Sequence, residues 1–425
     1  MIKRIHLLLA PLAIMLWSNI AHAQFTLSAE VRPRAELRNG FKKPLEEGAD
    51  AAFFVEQRTR LNTAFSSDKF ELFISLQDVR NWGAVTQVYK GDPSLQNIYQ
   101  AWGAYKFNAK NKLAVGRMEL DYDNVRILGN LDWAAQGRSH DLVKYEYSSE
   151  SGLKFHFGAA FNQDANTPEF GKLASTFYGV AGNYKTMQFA WLHKNWENTG
   201  LSFLVLNNGV QAADSSVNFS QTTGFYGTSK LGEVALEYDA YYQFGKNAAG
   251  ADLSAYMFGI NATFWKAKPT SLTIGVDYLS GNKTNTAKDE SFNPLYGTHH
   301  KFYGFMDYFY VGNPHANKGL VDAFAKAKFK TGEKSSLLAQ AHEFLSQSTV
   351  VSESLEDMSS TLGTELDLVY VLKPAPEVTL NIGYSHLFYT ESMEIIKGST
   401  DPKAAYWAWA MISIKPTLFT TKKAE

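Results

Sequence analysis

From residue 25 onward the chain alternates. Phe25, Leu27, Ala29, Val31, Pro33, Ala35 and Leu37 occupy the odd positions, and Thr26, Ser28, Glu30, Arg32, Arg34, Glu36 and Arg38 the even ones. Successive side chains of a β-strand point to opposite faces, so this stretch predicts a strand with one apolar and one charged face. The pattern recurs. Residues 153–161 set Leu153, Phe155, Phe157, Ala159 and Phe161 against Lys154 and His156, and residues 234–244 set Leu236, Tyr238, Ala240 and Tyr242 against Glu237, Asp239 and Gln243. Residues 271–279 and 364–372 repeat it, the latter with Glu365 and Asp367 on the polar side. No helical period of useful length interrupts the series, which predicts an all-β chain folded as one domain.

The connections alternate in length. Short ones fall at 66–69, 108–111, 148–152, 230–233, 266–269, 331–334 and 374–377, and longer ones at 39–50, 82–94, 121–138, 207–218, 281–318 and 390–402. An up-and-down transmembrane barrel, with tight periplasmic turns and long extracellular loops, has this rhythm, whereas Greek-key connections in a soluble sandwich break it. Nineteen strand-like segments can be marked. Such barrels have even strand numbers, and merging 175–195 into one strand gives eighteen. Arg32 and Arg34 facing lipid would each cost ~2–4 kcal/mol near the midplane, so the charged face is expected to line the interior. A secreted soluble sandwich with its polar face outward is the competing reading.

The first residues agree with export. Lys3 and Arg4, the apolar run Leu7–Trp17 and Ala21-His22-Ala23 make a signal peptide over 1–23, with the barrel over 24–419 and a short tail over 420–425. The apolar run is too short to span a membrane as a helix. The chain carries 41 Lys+Arg and 42 Asp+Glu, and loss of Lys3 and Arg4 leaves a net charge of −3, so nothing points to nucleic acid. With no cysteine, neither a disulfide framework nor a thiolate metal site is available.

The arginines carry the chemistry. Apart from Arg4 they are Arg32, Arg34, Arg38, Arg58, Arg60, Arg80, Arg117, Arg126 and Arg138, and beyond residue 138 every such cation is a lysine. Arg58 and Arg60 share a face with Glu56 and Asn62, beside the arginines of the first strand. Guanidinium groups grip carboxylates and phosphates through paired hydrogen bonds, so one wall of the lumen would suit an anionic solute. The alternative is a ladder of braces, since Glu30, Glu36, Glu56 and Glu119 sit among them. Glu237, Asp239, Glu365 and Asp367 make the far wall acidic. Arg117 shares its face with Leu113 and Val115, which leaves its direction open.

The stretch GRMELDYDNVRILGNLDWAAQGRSHD (116–141) opens on Gly-Arg, carries a later Arg and a Trp, and closes on Gly-Arg-Ser with Asp141. It resembles the signature of the alginate-export porin family, as do QDVRNWG (77–83), SGN (280–282) and FNPLYGTHHKFYGFMD (292–307), over about residues 25–415. The resemblance implies an eighteen-stranded outer-membrane barrel with an arginine-lined passage for a polyuronate. It carries over Arg58, Arg60, Arg117, Arg126 and Arg138 with Asp141 as pathway residues; Arg32, Arg34 and Lys144 complete the candidate set. The expected partners are the outer-membrane bilayer, an anionic saccharide or other small solute, and the barrel-assembly machinery. A non-conducting barrel with binding or adhesive loops is the second class.

Enzymatic signals are weak, and no catalytic residue, cofactor or metal is expected. In AHEFLSQ, Ser346 stands where a zinc helix needs its second histidine. Residues 121–132 lack the glycine and closing glutamate of a calcium loop. His299, His300 and His315 read as outer-rim loop histidines, and Lys288 and Lys301 as exposed charges on the same loop. Ser385 and His386 are adjacent on a strand and point apart, which leaves an outer-membrane hydrolase as the remotest reading. Residues 404–419 read as the closing strand, with Ile412 and Ile414 outward and Ser413 and Lys415 inward. The chain continues past Phe419 as TTKKAE rather than ending on an aromatic residue.

Overall fold

The computed structural model describes residues 23–46, 48–88, 95–163, 177–180, 182–266, 268–283, 286–309, 316–399 and 405–421. Residues 1–22 of the expected signal peptide, His315 and the last four residues lie outside them. Each strand pairs antiparallel with the next, from β1 (Gln24–Asn39) through β2 (Ala52–Ser66), β3 (Phe70–Asn81), β4 (Leu95–Lys106), β5 (Asn111–Met118), β6 (His140–Ser148), β7 (Lys154–Phe161), β8 (Thr186–Asn195) and β9 (Thr199–Gln211). The series continues through β10 (Val217–Leu231), β11 (Val234–Lys246), β12 (Asp252–Phe264), β13 (Thr270–Leu279), β14 (Leu320–Gly332), β15 (Ser335–Leu345), β16 (Thr361–Ala375), β17 (Val378–Tyr389) and β18 (Ala405–Ile414). Closure comes from β1, which pairs with β18 from Val31–Ile414 to Asn39–Tyr406. A short continuation, Thr417–Thr420, extends the seam beyond Pro416. Pro33, which has no N–H, falls in the gap between the Val31–Ile414 and Arg34–Met411 pairs.

The barrel thus has eighteen strands, and both ends of the sheet lie on the short-turn rim, as expected for an outer-membrane barrel. Two expectations are corrected. The described residues 177–180 and 182–185 do not extend the eighth strand, which starts at Thr186. The connection expected over 207–218 shrinks to 212–216, because β9 and β10 keep their alternation past it.

The faces sort as the alternation requires. On β1, Glu30, Arg32, Arg34 and Glu36 are at most 5% exposed, while Val31 between them is 37% exposed. Leu76, Ile98, Val115, Phe258, Leu366 and Ile412 lie in the outward apolar belt that meets lipid. The polar face turns inward, yet it does not meet open water everywhere. The β5–β6 loop (119–139) and the β13–β14 loop (280–319) were expected on the outer rim; residues 120–138 and 291–309 fold into the barrel, while Lys288 stays exposed beside the long-loop end of β12. Leu120, Ile127, Leu128, Tyr303, Met306 and Tyr308 are buried there, packed with Trp407 and Trp409 of the wall. A barrel this wide leaves more interior than wall side chains can fill, and the loops take up part of it.

Candidate functional site

The β5–β6 loop crosses the lumen and touches three sectors of wall. Toward β1 and β2 it is held by arginines, which donate to its backbone. Arg32 reaches the carbonyls of Asp132, Trp133 and Ala134 at 2.7, 3.3 and 3.1 Å, and Arg34 reaches that of Trp133 at 2.8 Å. Arg58 Nη2 lies 2.7 Å from Glu30 and 2.9 Å from the Asp132 carboxylate. Arg60 lies 3.4 Å from Asp132, donates to Gln77 at 2.7 Å, and stacks 3.5 Å over the Tyr99 ring. The wall arginines are therefore nearly inaccessible, whereas the Asp132 side chain stays 44% exposed. Burial would raise its carboxyl, but Arg58 and Arg32 hold it below the ordinary aspartate value.

Toward the far wall the same loop contributes Arg126. It is buried, donates two 2.8 Å hydrogen bonds to Asp277 and one of 3.2 Å to Asp239, and meets the Tyr303 hydroxyl at 2.8 Å. Burial opposes its charge, yet Asp239 and Asp277 keep its proton held more tightly than usual. Toward β8 and β9, Asp123 accepts from Ser202 at 2.5 Å and from Trp191 at 3.1 Å. Burial lifts this carboxyl to about 6. The backbone between these anchors is strained: Val125, β-branched, has φ +65°, a conformation costing ~1–3 kcal/mol that the surrounding bonds impose.

The β13–β14 loop seals against the first. Tyr296 and Leu128 form a parallel bridge, Thr298 N donates to Val125 O at 2.9 Å, and Arg138 donates to Gly297 O at 2.9 Å. Met306 N then reaches the Glu365 carboxylate at 2.7 Å. Gly304, at φ +77°, runs so close that a Cβ would stand 2.5 Å from that carboxylate, which explains the glycine there. His299 and His300, expected at the rim, are buried inside; burial and Arg138 press His299 down to about 3. His300 meets Asp307 at 2.8 Å and stacks 4.3 Å from Trp133. Lys301 likewise lies within the lumen, its Nζ donating to Asn124 O at 3.1 Å. No cluster suited to a metal ion exists among the described residues.

Of the candidate residues, the structure brings together Arg32, Arg34, Arg58 and Arg60. Arg126 belongs to the opposite sector, and Arg138 ties loop to loop. Lys144 faces inward but pairs with Glu146 at 2.8 Å. Arg117 and Asp141 do not face the lumen. They pair with each other on the outer face of β5 and β6, through hydrogen bonds of 2.8 and 2.7 Å, with side chains 42% and 53% exposed. Gly116 beside them has φ +126° where β5 touches β4, a position at which a Cβ would collide with Ala101 O. Sequence reasoning missed Asp277, Asp132, Asp123 and Gln77. The alternation already placed Asp277 on the polar face of β13; the other partners follow only from where the loop goes.

The chain matches the alginate export profile over residues 23–406. No curated protein matches it in sequence. Among solved structures, Pseudomonas aeruginosa OccK10 (OpdN) is similar at TM-score 0.60 and 11% identity, covering 93% of this chain and 99% of that one. A BenF-like porin from Pseudomonas fluorescens gives 0.60 and 12% over 93% and 99%. P. aeruginosa OccK2 (OpdF), solved in complex with glucuronate, gives 0.60 and 13% over 93% and 98%. These identities speak for the barrel fold. The family match spans nearly the whole chain, and with a closed eighteen-stranded barrel behind it, this outer-membrane protein belongs to the alginate export family.

Proposed function

We propose that the protein is a channel for an anionic saccharide or sugar acid, narrowed at mid-height by its two inward loops. The observation that carries the channel reading is the clamping of the β5–β6 loop. Its backbone is gripped by Arg32, Arg34 and Arg58, and its far end is pinned by Asp239 and Asp277. A loop held so firmly inside sets the width and field of a passage; a loop serving adhesion would be left outside. In this reading the arginine wall bounds the pathway through the loop it positions, with Asp132 as the exposed tip of that cluster. Support for the solute class comes from the family and from the glucuronate bound by OccK2, a protein of the same fold.

The layer made by the two loops favours a second reading, a barrel that binds at its loops and conducts nothing. Planar-bilayer recording separates the two. The channel reading expects discrete conductance steps and stronger block by an oligogalacturonate than by a neutral oligosaccharide of equal length. A folded, inserted barrel without steps would establish the binding reading.

A further inference from the structure

Arg32, Arg34, Arg58 and Arg60 are spent on the β5–β6 loop, whereas the lysines at the short-turn rim are not. At the short-turn rim, β12 to β16 and their turns enclose a 440 Å³ cavity that holds Lys266, Lys268, Lys328, Lys330, Lys334 and Lys373, with Glu333 as its one acid. Lys328 and Lys330 share the inward face of β14 with Asp322 and Lys326, and Lys373 shares that of β16 with Asp367. Lys268 reaches Glu233 at 3.3 Å and Lys334 donates to Pro374 O at 2.8 Å. Lys266, Lys328, Lys330 and Lys373 are exposed and form no ion pair among the described residues. Above them, Lys326, Lys301 and Arg126 line a 220 Å³ cavity together with Glu237, Asp277 and Asp322. Alternate residues of a strand lie about 6.6 Å apart, so β14 presents Lys330, Lys328 and Lys326 as a rising series of charges from rim to constriction.

We infer that this lysine wall is the entry site for a polycarboxylate saccharide arriving from the short-turn, periplasmic side. The inference rests on the channel reading and adds a place to it. The chemistry fits capture and release. A lysine ammonium is a hydrated point charge on a flexible stem, so each contact with a carboxylate is weak and exchangeable. Conduction needs several sites that attract without trapping, which a spaced series of such groups supplies and a buried bidentate arginine does not. The charges also cluster in a concave mouth, where a field of one sign speeds encounter with an oppositely charged chain. The single-sign character is confined to this rim: higher on the same strands, Asp277, Asp322 and Asp367 face the lumen.

The test compares the parent with K328E/K330E, with the neutral K328Q/K330Q, and with K288E on the outer side. Reversal potentials in a potassium chloride gradient and block by oligogalacturonate are recorded with the probe added to each side in turn. Both lysine variants should shift selectivity toward cations, the glutamate pair more strongly. The block on-rate from the short-turn side should fall roughly tenfold or more in about 0.01 M salt, where charges act over ~30 Å, and the difference should vanish near 1 M. Block from the loop side, and the K288E variant, should change little. Folded variants with parental reversal potential and parental block from both sides would overturn the proposal, as would an equal loss from both sides. If the parent carries no current, the channel reading fails. Probe binding to the detergent-purified barrel then decides the lysine site, which stands if K328E/K330E abolishes binding and falls if it does not.

Discussion

The guanidinium of Arg126 and the carboxylate of Asp277 face each other squarely, in two hydrogen bonds of 2.8 Å, and so join the tip of one loop to the β13 wall. Both groups are buried, and Asp239 completes the arrangement at 3.2 Å. Removing one partner of such a pair leaves uncompensated charge and costs about 3–5 kcal/mol. The R126M variant should therefore lose its fast, unboiled gel mobility at a lower temperature than the parent and show noisier single-channel currents. Adding D277N should recover part of the loss, because it removes the stranded charge. Parental heat stability in R126M would mean that the loop is held by its other anchors alone.

The burial of Arg58 decides the outcome of a charge-reversal experiment on the arginine wall. Arg58 is fully buried between Glu30 and Asp132, so R58E/R60E would crowd two further carboxylates against both. The expected result is a barrel that assembles poorly or melts early. R58K keeps the charge but loses the fork, and should fall between the two. A stable R58E/R60E barrel with cleanly inverted ion selectivity would show instead that these arginines meet the solute directly.

How much of this was legible follows from where each signal lives. Alternation is local, so Glu237, Asp239, Glu365 and Asp367 could be assigned to the lumen from their neighbours alone, and all four face it. The length rhythm of the connections gave the barrel and its orientation. A loop's destination has no such period. Nothing local in DYDNVRILGNLD says that it turns inward, because its partners, Asp277 and Tyr303, lie 151 and 177 residues away. Arg117 was readable after all. Leu113 and Val115 on its face announce lipid, and Val143 and Tyr145 do the same for Asp141. The family signature drew these two residues toward the pathway, against their own strand faces.

That outward pair makes a sharp negative prediction. Arg117 and Asp141 satisfy each other near the long-loop ends of β5 and β6, where side chains remain partly exposed. Exposed pairs contribute ~0–1 kcal/mol. R117A/D141A should insert normally and keep parental conductance, reversal potential and oligogalacturonate block. A change in selectivity would place this pair on a solute path outside the lumen, contrary to the barrel's facing.

Asp123 should give the loop a pH dependence of definite sign. Its carboxyl is lifted by burial from an ordinary 3.8 to about 6, despite the Ser202 and Trp191 donors that favour its charge. Between those values the anchored loop holds a proton that the released loop has lost, so anchoring is strongest in acid and weakens as pH rises through about 6. A shift of this size corresponds to roughly 2–3 kcal/mol. Asp239 adds to the lift, and His193, 2.8 Å from the Ser202 hydroxyl, is a second titratable group in contact with this anchor. The D123N variant separates them, since it stays neutral throughout, keeps an acceptor for Ser202 and leaves His193 in place. The parent should show quieter currents and a higher mobility-shift temperature at pH 5 than at pH 8, and D123N should lose that difference. A step that persists in D123N belongs to His193, and a parent more stable at pH 8 would mean that the Asp123 anchor is held in its charged form.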